Sequence, residues 1–240
     1  MLERSRRRNS TTRTRWMIGV LLALGLLGQT SARDNARDPA QTSATIAPPQ
    51  GVATCVACHG SKGAGNTAAG FPRLAGLGQS YLLEQLNAFT AGTRQNAVMQ
   101  PIAKALQQVQ RVALAAYYSG LPPTVAVAHP PSADARPADT GAWLSARGRW
   151  ADGLPACSQC HGAAGLGVGQ SFPALAGQPA AYIAGQLQGW KHGLRPPGPL
   201  ALMVLIAAKL SDADITALAD YYAGLPASNG GVAKTRGAHS

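Results

Sequence analysis

Two copies of Cys-x-x-Cys-His, Cys55-Val-Ala-Cys58-His59 and Cys157-Ser-Gln-Cys160-His161, hold every cysteine of the 240-residue chain. On a helical turn, residues three and four apart share one face. Cys55 and Cys58 can therefore each form a thioether to one porphyrin while His59 offers a nitrogen to its iron. Cys157, Cys160 and His161 repeat the arrangement. This is the pattern of covalent c-type haem attachment. Rival chemistries fit less well. A thioredoxin-like redox pair needs no adjacent histidine and opens a helix after a strand; nothing strand-like precedes either motif. A zinc site of two cysteines and two histidines needs a close histidine pair, and none of the five histidines lies that near another. A four-thiolate zinc site would have to join two motifs about a hundred residues apart.

A histidine fills one axial position of a haem iron. An open second position suits ligand binding or peroxide chemistry, whereas a thioether there suits electron transfer and raises the potential. The chain has four methionines, Met1, Met17, Met99 and Met203, and the last two follow His59 and His161 by 40 and 42 residues. An isolated Met among apolar residues is ordinarily core filler. Two that recur in register with the two histidines are candidate axial ligands. His192, close to Met203, is a rival that reads as an exposed helix-end residue, and His129 and His239 read as solvated.

The elements that must position these residues are themselves duplicated. Cys58-His59-Gly60 matches Cys160-His161-Gly162 at an offset of 102, and Phe71-Pro72-Arg73-Leu74-Ala75-Gly76 matches Phe172-Pro173-Ala174-Leu175-Ala176-Gly177 at 101. Tyr81, Gln85, Leu86, Gly92 and Arg94 match Tyr182, Gln186, Leu187, Gly193 and Arg195 at 101. At 104, Met99 pairs with Met203, and Tyr117-Tyr118-x-Gly120-Leu121-Pro122 with Tyr221-Tyr222-x-Gly224-Leu225-Pro226. Helical spacing recurs in both copies: Leu82, Leu86 and Phe89 against Ile183, Leu187 and Trp190, then Leu114, Tyr118 and Leu121 against Ile215, Leu218, Ala219 and Tyr222. Ser211-Asp212-Ala213-Asp214 predicts an N-cap with an acidic first turn; Gln107-Gln108-Val109-Gln110 predicts none. No alternating strand pattern stands out. Two small mostly α domains follow, 51–122 and 141–226, each with so little apolar core of its own that a covalent haem must serve as core.

Residues 123–140 carry Pro123, Pro130, Pro131 and Pro137 and read as a semi-rigid linker. Residues 33–50 read as a disordered leader and 227–240 as a flexible tail. Residues 1–32 read as a signal peptide: six arginines, an apolar run from Trp16 to Gly28, and small residues at Thr30-Ser31-Ala32. Thirteen apolar residues are short of the roughly 20 that cross a bilayer, so cleavage is expected rather than anchoring. The formal charge of +11 falls to +6 without this segment, with +4 on 51–122 and +1 on 141–226. The basic residues are scattered and no nucleic-acid motif accompanies them. Their expected use is to steer an acidic redox protein towards the first domain.

Taken together, Cys-x-x-Cys-His-Gly, the Gly-rich turn, Phe-Pro-x-Leu-Ala-Gly, a helix with Tyr then Gln-Leu, the Met and the final Leu-Ala-x-Tyr-Tyr helix resemble class I cytochrome c. The tandem copy resembles the dihaem cytochrome c4 family over residues 51–226. The resemblance implies two cytochrome c domains related by a pseudo-twofold, each wrapped around one covalent haem c, with the haem edges near the domain interface. It implies Pro72 and Pro173 as carbonyl acceptors for the ligand histidines, and Tyr81, Tyr182, Arg94 and Arg195 as propionate neighbours. It further implies export, because c-type haem is attached outside the cytoplasm. The expected role is a periplasmic electron carrier, without catalysis of its own, between a quinol:cytochrome c oxidoreductase and a terminal oxidase or reductase. Redox proteins, acidic at the docking face or membrane-bound, are the expected partners, and peripheral association with the membrane is left open. The alternative is the haem subunit of an enzyme complex such as a flavocytochrome sulfide dehydrogenase or an alcohol dehydrogenase. A dihaem peroxidase would instead need one haem without a Met ligand. The run Arg195-Pro196-Pro197-Gly198-Pro199 departs from the first copy and predicts a differently shaped second Met loop.

Overall fold

The computed structural model describes residues 47–123 and 140–227. The expected signal peptide, most of the leader and linker, and nearly all of the tail lie outside the described residues. The first half contains α1 (Val52–His59), α2 (Gln79–Ala91), α3 (Met99–Ala105) and α4 (Gln108–Gly120). The second contains α5 (Thr140–Arg147), α6 (Ser158–His161), α7 (Ala180–Lys191), α8 (Leu202–Ala207) and α9 (Asp212–Ala223), with short 3-10 turns between them. Among the described residues only isolated bridges such as Asn66 with Phe71 and Val168 with Phe172 have β character. None of their helices is long and apolar enough to cross a membrane.

The expected apolar faces are the ones that pack. In the first half α2 lies against α3 and α4, burying Leu82, Leu114, Ala115 and Tyr118. In the second, α9 lies against α5 and α7, and the buried cluster adds Leu144, Leu154, Ile183, Leu187, Ile215, Leu218 and Tyr222. The close crossing of α5 over α9 needs Gly141, because a Cβ there would sit 2.2 Å from the Ala217 carbonyl oxygen.

Helix starts follow local chemistry. Ser211 caps α9 as expected: its Oγ accepts from the Asp214 N–H at 3.1 Å, and Asp214 Oδ2 accepts from the Ser211 N–H at 2.9 Å. The equivalent α4 start is not bare, contrary to the sequence reading. Gln110 Oε1 accepts from the Gln107 N–H at 2.8 Å, so an amide closes the turn where the second half uses a carboxylate.

Between the histidine and the next long helix, both halves trace the same loop. The N–H of Gly65 donates to the His59 carbonyl at 2.9 Å and that of Gly167 to the His161 carbonyl at 2.7 Å. Gly63 and Gly165 have φ of +64° and +70°, and a Cβ on either would lie under 3 Å from the ring of Tyr118 or Tyr222. Only glycine supplies both the left-handed backbone and the clearance. The Gly76 and Gly177 N–H groups then tie the loops to the Tyr118 and Tyr222 carbonyls at 3.0 and 2.8 Å.

Candidate haem sites

Each histidine is buried at the end of a short helix and fixed by one hydrogen bond. Nδ1 of His59 lies 2.7 Å from the Pro72 carbonyl oxygen, and Nδ1 of His161 lies 2.8 Å from that of Pro173. A carbonyl only accepts, so the proton sits on Nδ1 and Nε2 keeps its lone pair for a metal. Burial lowers the pKa of both imidazoles, opposed in part by the proline carbonyls, which keeps them in the neutral form a metal requires. Burial also raises the Cys55 thiol, and takes that of Cys157 to about 11.

Each histidine opens onto its own cavity. In the first half a cavity of about 360 Å³ is bounded by Cys55, Cys58, His59 and Met99. In the second, one of about 260 Å³ is bounded by Cys157, Cys160, His161 and Met203. The walls are largely apolar side chains, among them Leu82, Leu114 and Phe89 in the first and Ile183, Leu187 and Trp190 in the second. The residues therefore fit a haem: two thiols and an imidazole on the motif side, a thioether in the same cavity, and an apolar lining. His192 is not part of the second cavity; it is exposed, with Nε2 3.1 Å from Gln188 Oε1. The Met203 approach differs from the first half as expected. Leu200 and Ala201 take left-handed φ of 64° and 52° just before α8, and the Pro196 carbonyl accepts from Trp190 Nε1 at 3.0 Å.

The two cavities share part of their walls. Tyr81, Gln85, Tyr182 and Gln186 border both. Around them Arg94 of the first half donates to Tyr182 Oη at 3.1 Å and Gln186 Oε1 at 2.5 Å. Arg195 of the second half donates to Tyr81 Oη at 3.3 Å and Gln85 Oε1 at 3.1 Å. Each guanidinium also stacks on an aromatic ring of its own half, Phe89 and Trp190 respectively. The four residues singled out by the repeat thus meet in one crossed network. Its partners are all neutral, and among the described residues neither buried guanidinium is in an ion pair with a carboxylate. A charge so placed calls for an anion, and the propionates of a haem are anions of the right kind.

Sequence reasoning passed over Arg73, Gln178 and Ser145. Arg73 is fully buried and reaches the Ala75 and Ala176 carbonyls, while Gln178 pairs with the Arg73 backbone from the other half. The one available signal was the mismatch of Arg73 with Ala174 inside an otherwise matched hexapeptide. Ser145 pairs with Tyr222 Oη at 2.8 Å. Nothing in the repeat points to it.

Two helical units, each with an imidazole and two thiols facing an apolar cavity that also holds a thioether, define a tandem c-type cytochrome. Comparisons with known proteins agree. The family model "Cytochrome c" matches residues 50–121 and 154–225. The thiosulfate dehydrogenase electron acceptor of Thiomonas intermedia (strain K12) is 49% identical over 189 residues, 79% of this chain and 86% of that protein. Reduced recombinant cytochrome c4 from Pseudomonas stutzeri superposes with a TM-score of 0.64 at 38% identity, covering 73% of this chain and 95% of that one. The thiosulfate dehydrogenase TsdBA of Marichromatium purpuratum, in its "as isolated" form, gives a TM-score of 0.65 at 43% identity over 72% of this chain. This chain spans 36% of that structure's length. The chain belongs to the cytochrome c family, in its dihaem cytochrome c4 form. It is an electron-transfer protein that carries two covalent haem c groups, and redox proteins are its partners.

Proposed function

We propose that the chain is an exported, periplasmic electron carrier that accepts electrons from a thiosulfate-oxidising dehydrogenase and passes them to a respiratory acceptor. The likeness to an electron acceptor of thiosulfate dehydrogenase, at 49% identity across most of both chains, carries this reading. The basic and apolar residues ahead of Ser31 favour export. In this reading His59 with Met99 and His161 with Met203 would ligate the two irons, and Cys55, Cys58, Cys157 and Cys160 would carry the thioethers. The domains are 51–122 and 141–226.

Haem iron, when bound, supplies a one-electron ferric–ferrous couple. The rest is the work of the chain. The Pro72 and Pro173 carbonyls hold each imidazole in one orientation and make it more basic. The apolar walls exclude water, which favours the state of lower charge, and a thioether ligand raises the potential further. Arg94 and Arg195, each beside the cavity of its own half and bonded to side chains of the other, would give the propionates a cationic partner. The excess of basic residues on 51–122 steers an acidic docking face.

The test is to mix the oxidised holoprotein with a purified thiosulfate dehydrogenase and thiosulfate. The expected result is reduction of both haems at a rate that depends on ionic strength. No reduction by the dehydrogenase, together with rapid reduction by a quinol:cytochrome c oxidoreductase, would favour the second reading. That reading is a general respiratory carrier ending at a terminal oxidase, and the likeness to cytochrome c4 supports it.

A further inference from the structure

Three buried arginines stand where the two halves meet. Arg94 and Arg195 occupy equivalent places and cross into each other's half, so their charges fall on the two cavities in the same way. Arg73 has no such twin, because its repeat equivalent is Ala174. Its side chain is wholly buried. Nη1 donates to the Ala75 carbonyl and Nη2 to the Ala176 carbonyl at 3.0 Å. Its backbone N–H donates to Gln178 Oε1 at 3.0 Å, and its carbonyl accepts from Gln178 Nε2 at 2.9 Å. Nε has no hydrogen-bond partner. Every partner is neutral, and among the described residues no carboxylate pairs with it. Burial lowers its pKa to about 10, so it remains a cation at neutral pH.

An unpaired cation in a low-dielectric interior acts at long range, because little screens it. Arg73 borders the first cavity and not the second. It directly follows Pro72, whose carbonyl holds His59. Reduction lowers the positive charge at an iron, so a fixed neighbouring cation favours the reduced form. We propose that Arg73 raises the reduction potential of the first haem relative to the second, and that it is the buried charge that makes two similar centres unequal. A residue acting only as a clasp between the halves would change stability and leave the difference between the two potentials alone.

The inference rests on haem at both His59 and His161, so haem content is measured first, on the full chain. The rings of Phe71 and Phe172 lie 6.3 and 6.4 Å, centre to centre, from those of His59 and His161. Their NMR signals therefore report the two irons separately during a redox titration. Arg73→Gln keeps an amide donor and removes the charge. It is expected to weaken reduction of the Phe71-reported centre about tenfold, which is about 59 mV for one electron. The Phe172-reported centre should move by less than half as much, and Arg73→Lys should retain the parent values near neutral pH. Equal shifts at both centres, or none at the first, would overturn the proposal. If Arg73→Gln fails to hold both haems, the decision passes to Arg73→Lys, whose ammonium sheds its proton more readily than a guanidinium. Its first midpoint should then begin to fall at a lower pH than the parent's. A first midpoint that tracks the parent's throughout would contradict the proposal.

Discussion

The two halves hold their histidines in the same way and are built differently around them. Each has a proline carbonyl on Nδ1, a left-handed glycine under a tyrosine ring, and a glycine N–H bonded to that tyrosine's carbonyl. Beyond this frame they diverge. The second half adds α5, seated on α9 through Gly141, and packs eleven buried residues in one cluster. The corresponding cluster in the first half has six, one of them Ala174 borrowed from the second half. The comparison separates what a haem site demands from what a domain needs to stand alone. The first half leans on its cofactor and on its neighbour; the second has a protein core of its own.

The strongest way to break this contrast is to remove each haem in turn. With Cys55 and Cys58 both replaced by alanine, the first half should lose most of its helical signal by circular dichroism, because cofactor binding there is also folding energy. Replacing Cys157 and Cys160 should leave α5, α7 and α9 largely helical. Equal losses would contradict the contrast.

Gly141→Ala tests the feature that only the second half has. The new Cβ would meet the Ala217 carbonyl oxygen at 2.2 Å, and rigid backbone cannot yield cheaply. A cost of about 3 kcal/mol, typical of overpacking, should appear as a lower denaturation midpoint for the second half.

The two interior tyrosines sharpen the comparison at smaller scale. Tyr222 Oη has Ser145 as partner, whereas the Tyr118 hydroxyl finds no hydrogen-bond partner of good geometry, only the Cys55 thiol nearby. Tyr222→Phe strands the Ser145 hydroxyl and should cost about 1–2 kcal/mol. Tyr118→Phe should be close to neutral by the same chemical-denaturation measurement.

The smallest effect concerns pH. Burial pushes the Asp214 carboxyl up, but the hydrogen bonds from Arg149 and Ser211 outweigh it and hold the group below its ordinary 3.8. A carboxyl depressed in the folded state adds stability above its unfolded pKa, and that stability is lost as pH falls through the folded value. The second half should therefore lose an increment below about pH 4. Arg149→Ala, worth about 1 kcal/mol for a partly exposed pair, should remove most of that pH dependence. The first half has Gln110 in the equivalent place and should show none of it.

What could be read from the residues alone was largely local or repeated. The attachment motifs and the paired methionines lie within one loop or recur at a fixed offset, so one copy corroborates the other, whereas the proline acceptors were implied only by the family resemblance. The register also marked Arg94, Arg195, Tyr81 and Tyr182 as equivalent. It could not say that each arginine bonds across the interface, to partners about 90 to 110 residues away. Arg73 was illegible for the opposite reason: a lone charge in a matched hexapeptide reads as a surface substitution until the second half is seen to bury it. The α4 cap was missed because glutamine is weak among capping residues, although its amide reaches the same N–H as a carboxylate.

The most direct test of the account as a whole is a spectroscopic redox titration of the secreted full chain, with haem content measured on the same sample. The account predicts two haems per chain, both low-spin, titrating as two one-electron couples. The methionine-to-iron band of the ferric protein should be reduced by Met99→Ala and by Met203→Ala separately. One haem per chain, or a high-spin centre with an open position, would contradict it.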